Sequence, residues 1–385
     1  VTKPQHQSPS STTRYNIKYL DHPATRLLLC QAFDALWSES AKLFASIGAR
    51  IQATPDPESD INIYYNLYVG VIESVYDQIL GSYVVHDQQK RSDFLPTFLS
   101  NKLTSAHAVR LFKRSQRGNI KPMQSDHPDK DPLTDGTTFY SNLYNPSSTS
   151  FSSTEYVRRP HPPSANTFLS FLSTTTISRA IYRYPTNKSF GLDTIHIRML
   201  QALCPSQHFL TSIHSFFALC ASTTVTPSQW NLSQITPIPK KSDTFTPSTS
   251  RPISLTPRFR RIFESTILSF VYTLPFLCTF SPFQAGFRKS FNTTTHLWAS
   301  QIANRLPSSP KTISIFLDLE KAYDRVPISR LLDKLIRKAA PPSIIQLIDS
   351  LFSKCQSQLI VNKQVGPTFL RSRGLFQARL CNRFK

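Results

Sequence analysis

The stretch Ile313 to Pro327 reads I-S-I-F-L-D-L-E-K-A-Y-D-R-V-P and carries the residues best suited to chemistry. An apolar, β-prone run (Ile313, Ile315, Phe316, Leu317) predicts a buried strand over 313–318 that ends on one carboxylate, Asp318. A carboxylate at a strand end beside a basic groove can hold Mg²⁺ against phosphate oxygens, because hard cations take oxygen ligands. An aromatic, Tyr323, follows five residues on, with Asp324 next to it. Asp324 reads as a turn or helix-cap residue rather than a ligand, and Glu320 with Lys321 as a solvated pair on the turn.

Phosphate chemistry also needs cations. Lys240-Lys241 ends a predicted strand, Ser233 to Pro239, and Arg251 opens R-P-I-S-L eleven residues beyond Lys240. Two cationic side chains on adjacent strands can clamp a triphosphate, and the planar fork of Arg meets phosphate oxygens at two points. The other reading of Arg251 is a surface residue supporting a strand end. Further along, F-Q-A-G-F-R-K-S (283–290) puts Arg288 and Lys289 after Gly286, where backbone can pass close to a nucleic-acid strand. It reads equally as a basic loop before a helix cap. Two more segments, S-F-G-L-D-T-I (189–195) and S-R-G-L-F-Q-A (372–378), flank this set. A Gly-x-Asp turn capping a helix accounts for the first on local grounds.

The whole chain leans the same way. With 44 Lys+Arg against 23 Asp+Glu its formal charge is +21, which favours a polyanionic partner, most simply nucleic acid. No segment is built for a membrane: the best apolar run, Ile267 to Phe280, is too short to span and contains Pro275. No leader of the charged-then-apolar kind opens the 385 residues, and a first residue of Val reads as a piece of a longer frame. The six cysteines show no C-x-x-C spacing, so neither zinc nor a disulfide framework is expected. Gly-rich phosphate loops are absent.

The positioning elements follow from periodicity. Residues 1–20 are polar and expected to be a disordered tail. Residues 21–120 form a helical region, with apolar residues at helical spacing over Ala24 to Gln52 and Ile61 to Val85 and a basic candidate over Lys102 to Arg117. Residues 121–166 read as a linker with a short helix near Thr137 to Tyr144. From 167 to 385 helices interleave with few strands. Helices are predicted at 177–184, 194–203, 207–221, 258–272, 293–306, 329–337 and 343–354. A strand at 252–255 and a hairpin of 358–361 with 367–370 join the strand at 233–239. The fold class is α+β.

In this order the segments resemble the motifs of reverse transcriptases from non-LTR (LINE-type) retrotransposons. S-F-G-L-D-T-I resembles the family's G-P-D-G-I turn, with Leu192 for Pro and Thr194 for the second Gly. R-P-I-S-L matches a family box as it stands. F-Q-A-G-F-R-K-S resembles Q-x-G-F-R-x-x-x-S-T, and F-L-D-L-E-K-A-Y-D the first catalytic motif. R-G-L-F-Q-A resembles R-G-L-P-Q-G, with Phe376 for Pro and Ala378 for Gly. The resemblance covers roughly residues 170 to 378. It implies a helical N-terminal region followed by a partial fingers/palm of a right-hand polymerase, acting on an RNA template, a DNA primer and dNTPs, in the nucleus.

The resemblance also implies roles. Asp318 would bind both Mg²⁺ ions, with the Leu319 carbonyl as a further ligand. Arg251 would contact the triphosphate, with Lys240 a second candidate, and Tyr323 would lie under the incoming sugar. Gln377 would contact the nucleotide, and Arg288 and Lys289 the nucleic-acid phosphates. The family places a second carboxylate cluster, Y/F-A-D-D, beyond the R-G-L-P-Q-G box. After Asp324 this chain has only Asp333 and Asp349. The expectation is a truncated reverse transcriptase domain, inactive as this polypeptide and of marginal stability because its sheet lacks partners. The alternative is a non-catalytic basic nucleic-acid-binding protein.

Overall fold

The computed structural model describes residues 12–85, 122–146, 167–186, 191–240, 245–274, 280–305 and 315–376, less 128, 192, 194, 282–283, 287–290, 292 and 363. The basic helix candidate at 102–117 lies outside these residues, as do Arg288, Lys289 and Gln377.

Two long helices open the fold, α1 (Pro23–Ala53) and α2 (Glu58–Leu80). Pro23 starts α1 where a missing N–H costs nothing, and Glu58 and Asp60 favour the first turn of α2 through the helix dipole. The tyrosines of α2 decide its packing. Tyr64 and Tyr65 stack on Phe216, and Tyr65 and Tyr68 meet Phe259 edge-on. One core therefore runs from α1 and α2 into the later helices. Residues 21–80 are built into the body of the molecule rather than standing as a helical region of their own.

From Thr12 on, the polar lead is structured rather than a disordered tail. Residues Thr12–Tyr15 form strand β1, paired antiparallel with β2 (Ser82–Val85), and a 3-10 turn follows at Ile17–Asp21. Tyr15 and Leu20 supply the reason: both are buried, and Asn16 ties the turn to the Leu80 carbonyl at 3.1 Å.

The expected linker is likewise structural at 122–146. Asp131 caps α3 (Pro132–Tyr144) by accepting from Leu133 and Thr134 N–H groups. Tyr140 and Tyr144 then bury against Ile235, Leu359 and Val361 of the sheet. The short helix expected near Thr137 to Tyr144 is present and starts earlier, at Pro132, and its two tyrosines one helical turn apart suffice to dock it.

Helices α4 (Thr167–Phe171), α5 (Thr174–Arg183), α6 (Ile197–Leu203) and α7 (Gln207–Thr223) complete the helical layer. Strands β3 (Leu232–Pro239) and β4 (Ser250–Leu255) form an antiparallel ribbon, and α8 (Arg258–Val271) returns to the core. Then come α9 (Thr293–Arg305), α10 (Ile328–Arg337), α11 (Pro342–Phe352), β5 (Gln356–Val361) and β6 (Gln364–Leu370). The sheet order is β4-β3-β5-β6, with β3 and β5 parallel and the outer pairs antiparallel. Alternation in β3 buries Ser233, Ile235 and Pro237 on the face that α3 covers.

The strand expected at 313–318 is not present over its described part, 315–318. Phe316 and Leu317 are each 91% exposed. A β-prone run becomes a strand only where another strand takes its N–H and C=O groups, and the described sheet offers no neighbour here.

Candidate functional site

The ribbon end holds the first pair of cations. Arg251 lies opposite Ile238, and Lys240 continues the ladder by donating its N–H to the Thr249 carbonyl at 3.1 Å. Side chains alternate along a strand, so Lys240 and Arg251 share the face that carries Ile238. Both are exposed. Pro237 and Pro239 are tolerated because β3 pairs with β5 only over 232–235, so their missing N–H groups cost no bond on that side.

Asp318 and Leu319 lie on an exposed, irregular segment and face solvent. The turn after them, 320–325, meets the body of the protein. Lys321, at φ +51°, accepts the Asp324 N–H on its carbonyl at 3.0 Å and sets its ammonium 4.3 Å from the Phe139 ring centroid. Burial lowers the ammonium's pKa, Glu320 opposes this and the like charge of Lys240 adds to it. Phe139 precedes Tyr140, whose hydroxyl bonds Ser250 of the ribbon, so α3 links the turn to the ribbon. Glu320 pairs with Arg325 at 3.3 Å, which replaces the expected Glu320–Lys321 pair.

Asp324 is the residue that sequence reasoning underrated. It is 3% exposed, and its Oδ1 accepts the Tyr144 hydroxyl at 2.9 Å. Burial pushes its carboxyl up, against the pull of the Tyr144 bond, Arg371, Lys321 and Lys240. Arg371, also buried, has its guanidinium 3.9 Å from the Tyr144 ring centroid and 4.7 Å from that of Phe376. Tyr144 lies 180 positions before Asp324, so no local pattern in the sequence could have revealed this partner.

The R-G-L segment docks onto the same turn. Gly374 donates to the Val326 carbonyl at 2.7 Å and Leu375 to that of Tyr323 at 2.8 Å. Gly374 has φ +90°, and a Cβ there would meet the Asp324 carbonyl oxygen at 2.7 Å. Glycine is required on both counts. Phe376, where the resembled motif has Pro, stacks on Phe352 and lies 4.5 Å from the Arg260 guanidinium. Tyr323 is half-buried.

The G-L-D turn is structural. A Cβ on Gly191 would come within 2.3 Å of the Thr256 carbonyl oxygen. Asp193 accepts the Arg258 N–H, so it caps α8 rather than the helix that follows it in sequence.

The residues present do not by themselves fit a divalent metal. Among the described residues no group of three His, Cys, Asp or Glu comes together, and Asp318 faces solvent. No helix among them is long and apolar enough to cross a membrane.

Residues 238–377 match the family model described as reverse transcriptase (RNA-dependent DNA polymerase). The matched segment runs from the ribbon end to the R-G-L box and supports a reverse transcriptase domain. A curated relative, the "Probable RNA-directed DNA polymerase from transposon X-element" of Drosophila melanogaster, is 32% identical over 154 residues. That alignment takes in 39% of this chain and 17% of the relative, so the chain spans under a fifth of the relative's length.

Proposed function

We propose that this chain carries the nucleotide-gripping part of a reverse transcriptase of the non-LTR (LINE-type) kind, which binds a primed RNA template and deoxynucleoside triphosphates in the nucleus. The observation that carries the reading is the shared face of Lys240 and Arg251 at the ribbon end. Cations at that spot suit a triphosphate, and Arg251 would grip it in a bidentate fork. Tyr323 and Gln377 would meet the nucleotide, and Arg288 and Lys289 the template–primer phosphates.

Asp318 and the Leu319 carbonyl are what this chain would offer to Mg²⁺. One solvent-facing carboxylate does not hold such an ion, which needs near-octahedral oxygen ligation. Polymerisation would draw on carboxylates outside residues 1–385. The 385-residue polypeptide alone is therefore expected to bind without extending a primer. A second reading, a basic nucleic-acid-binding protein without catalysis, is favoured by the same solvent-facing Asp318.

The test is anisotropy of a labelled deoxynucleoside triphosphate with the polypeptide and an unlabelled primed RNA template. Arg251→Ala is expected to weaken binding at least about tenfold, as loss of a charge-assisted bond does. Unchanged binding by Arg251→Ala contradicts the reading, as does primer extension that Asp318→Ala abolishes.

A further inference from the structure

Helix α3 lies outside the matched residues 238–377, yet it touches the ribbon, the A-Y-D turn and the R-G-L segment. Besides its bond to Asp324, Tyr144 offers its carbonyl to the Ser372 hydroxyl at 2.8 Å. The Leu143 carbonyl accepts two bonds from the Arg373 guanidinium, at 2.9 and 2.8 Å. A cation on the last carbonyls of a helix is favoured by the dipole. Phe139 faces Lys321, and the Tyr140 hydroxyl bonds Ser250 Oγ, one residue before Arg251.

The residues leading into α3 brace the ribbon loop. Gln124 donates to the Phe245 carbonyl at 2.8 Å, and the Asp126 carboxylate accepts the Ser248 N–H and hydroxyl at 3.0 and 2.8 Å. Helix α3 and the residues leading into it thus contact the β3–β4 connection, the A-Y-D turn and the R-G-L segment. Its own position is fixed by burial of Tyr140 and Tyr144 on the sheet.

The geometry points to α3 as a positioning element of the nucleotide site, with Tyr144 acting through Asp324 to hold the A-Y-D turn, its Lys321 and the R-G-L segment in place beside the ribbon whose end carries Lys240 and Arg251. This inference rests on the nucleotide-binding reading above. A buried carboxylate must keep its donors, so the Tyr144 hydroxyl fixes where the A-Y-D turn sits. The turn in turn fixes Lys321.

The experiment compares the full 385-residue chain with Tyr144→Phe, Asp324→Asn and the double variant. Tyr68→Phe serves as the control, because it removes a buried hydroxyl bond, to Ser212 at 3.0 Å, inside the helical core. Hydrogen exchange over 321–326 and 371–375 reads positioning, and affinity for a labelled deoxynucleoside triphosphate with primed RNA template reads function. Tyr144→Phe is expected to speed exchange in both segments and weaken affinity about threefold to tenfold, the equivalent of one net hydrogen bond. Tyr68→Phe changes neither, and the double variant binds no more weakly than Asp324→Asn alone. Unchanged exchange in Tyr144→Phe, or the same effects from Tyr68→Phe, overturns the inference. A wild-type chain that binds no nucleotide removes the functional reading, while the exchange result still decides the positioning claim.

Discussion

Asp193 and His196 lie three residues apart and titrate in opposite senses. Burial pushes the Asp193 carboxyl up to about 6, against the Arg258 N–H bond and the charges of Arg258 and Arg261. An acid whose folded value is raised favours the fold below its ordinary value and loses that contribution as pH rises through the folded one. Burial, reinforced by Arg258 and Arg198, lowers His196 to about 4. Its Nδ1 accepts the Arg198 N–H at 3.2 Å and so needs the neutral ring. The unfolded chain binds that proton more readily, so this contribution is lost as pH falls from about 6.5 to 4. His196→Asn keeps a cap that does not titrate. Urea unfolding at pH 7 and pH 5 should show a smaller acid loss for His196→Asn than for wild type. For Asp193→Asn, stability relative to wild type should rise with pH over the same interval. The opposite slopes would contradict these assignments.

At the scale of elements, β3 ties the molecule together. The matched segment begins at 238, inside β3, whose pairing with β5 runs over 232–235. A polypeptide restricted to 238–377 would lose that pairing, all of α3 and the helices that cover α8. It is expected to give no cooperative urea transition and to aggregate through the orphaned edge of β5. A sharp transition from that fragment would show the outer elements to be dispensable. Much of the element order was legible from periodicity: α1, α2, the β3–β4 ribbon, α10, α11 and the β5–β6 hairpin fall close to their expected ranges. Helix α3 was legible in its second half, near Thr137 to Tyr144, but its docking was not, because Tyr140 and Tyr144 stand among polar residues and find their partners far along the chain. The run at 313–318 misled for the converse reason. Its apolar residues announce burial, but a strand also needs a neighbour. Lys240 and Arg251 were readable as a pair because a hairpin register brings them together locally, whereas Asp324 depends on contacts that only the tertiary fold creates.

On the scale of the whole molecule, a formal charge of +21 draws any polyanion to the surface, so bulk affinity alone distinguishes little. The proposed site is narrower: the face that Lys240 and Arg251 share, with Lys321 held on α3 beside the ribbon. Peptide mapping after illumination of a photoreactive deoxynucleoside triphosphate, bound to the 385-residue chain with primed RNA template, tests this most directly. The label should fall on peptides spanning 238–251 and 318–325 and be chased by excess unlabelled dNTP. Label scattered over the basic surface, or concentrated elsewhere and indifferent to competitor, would contradict it.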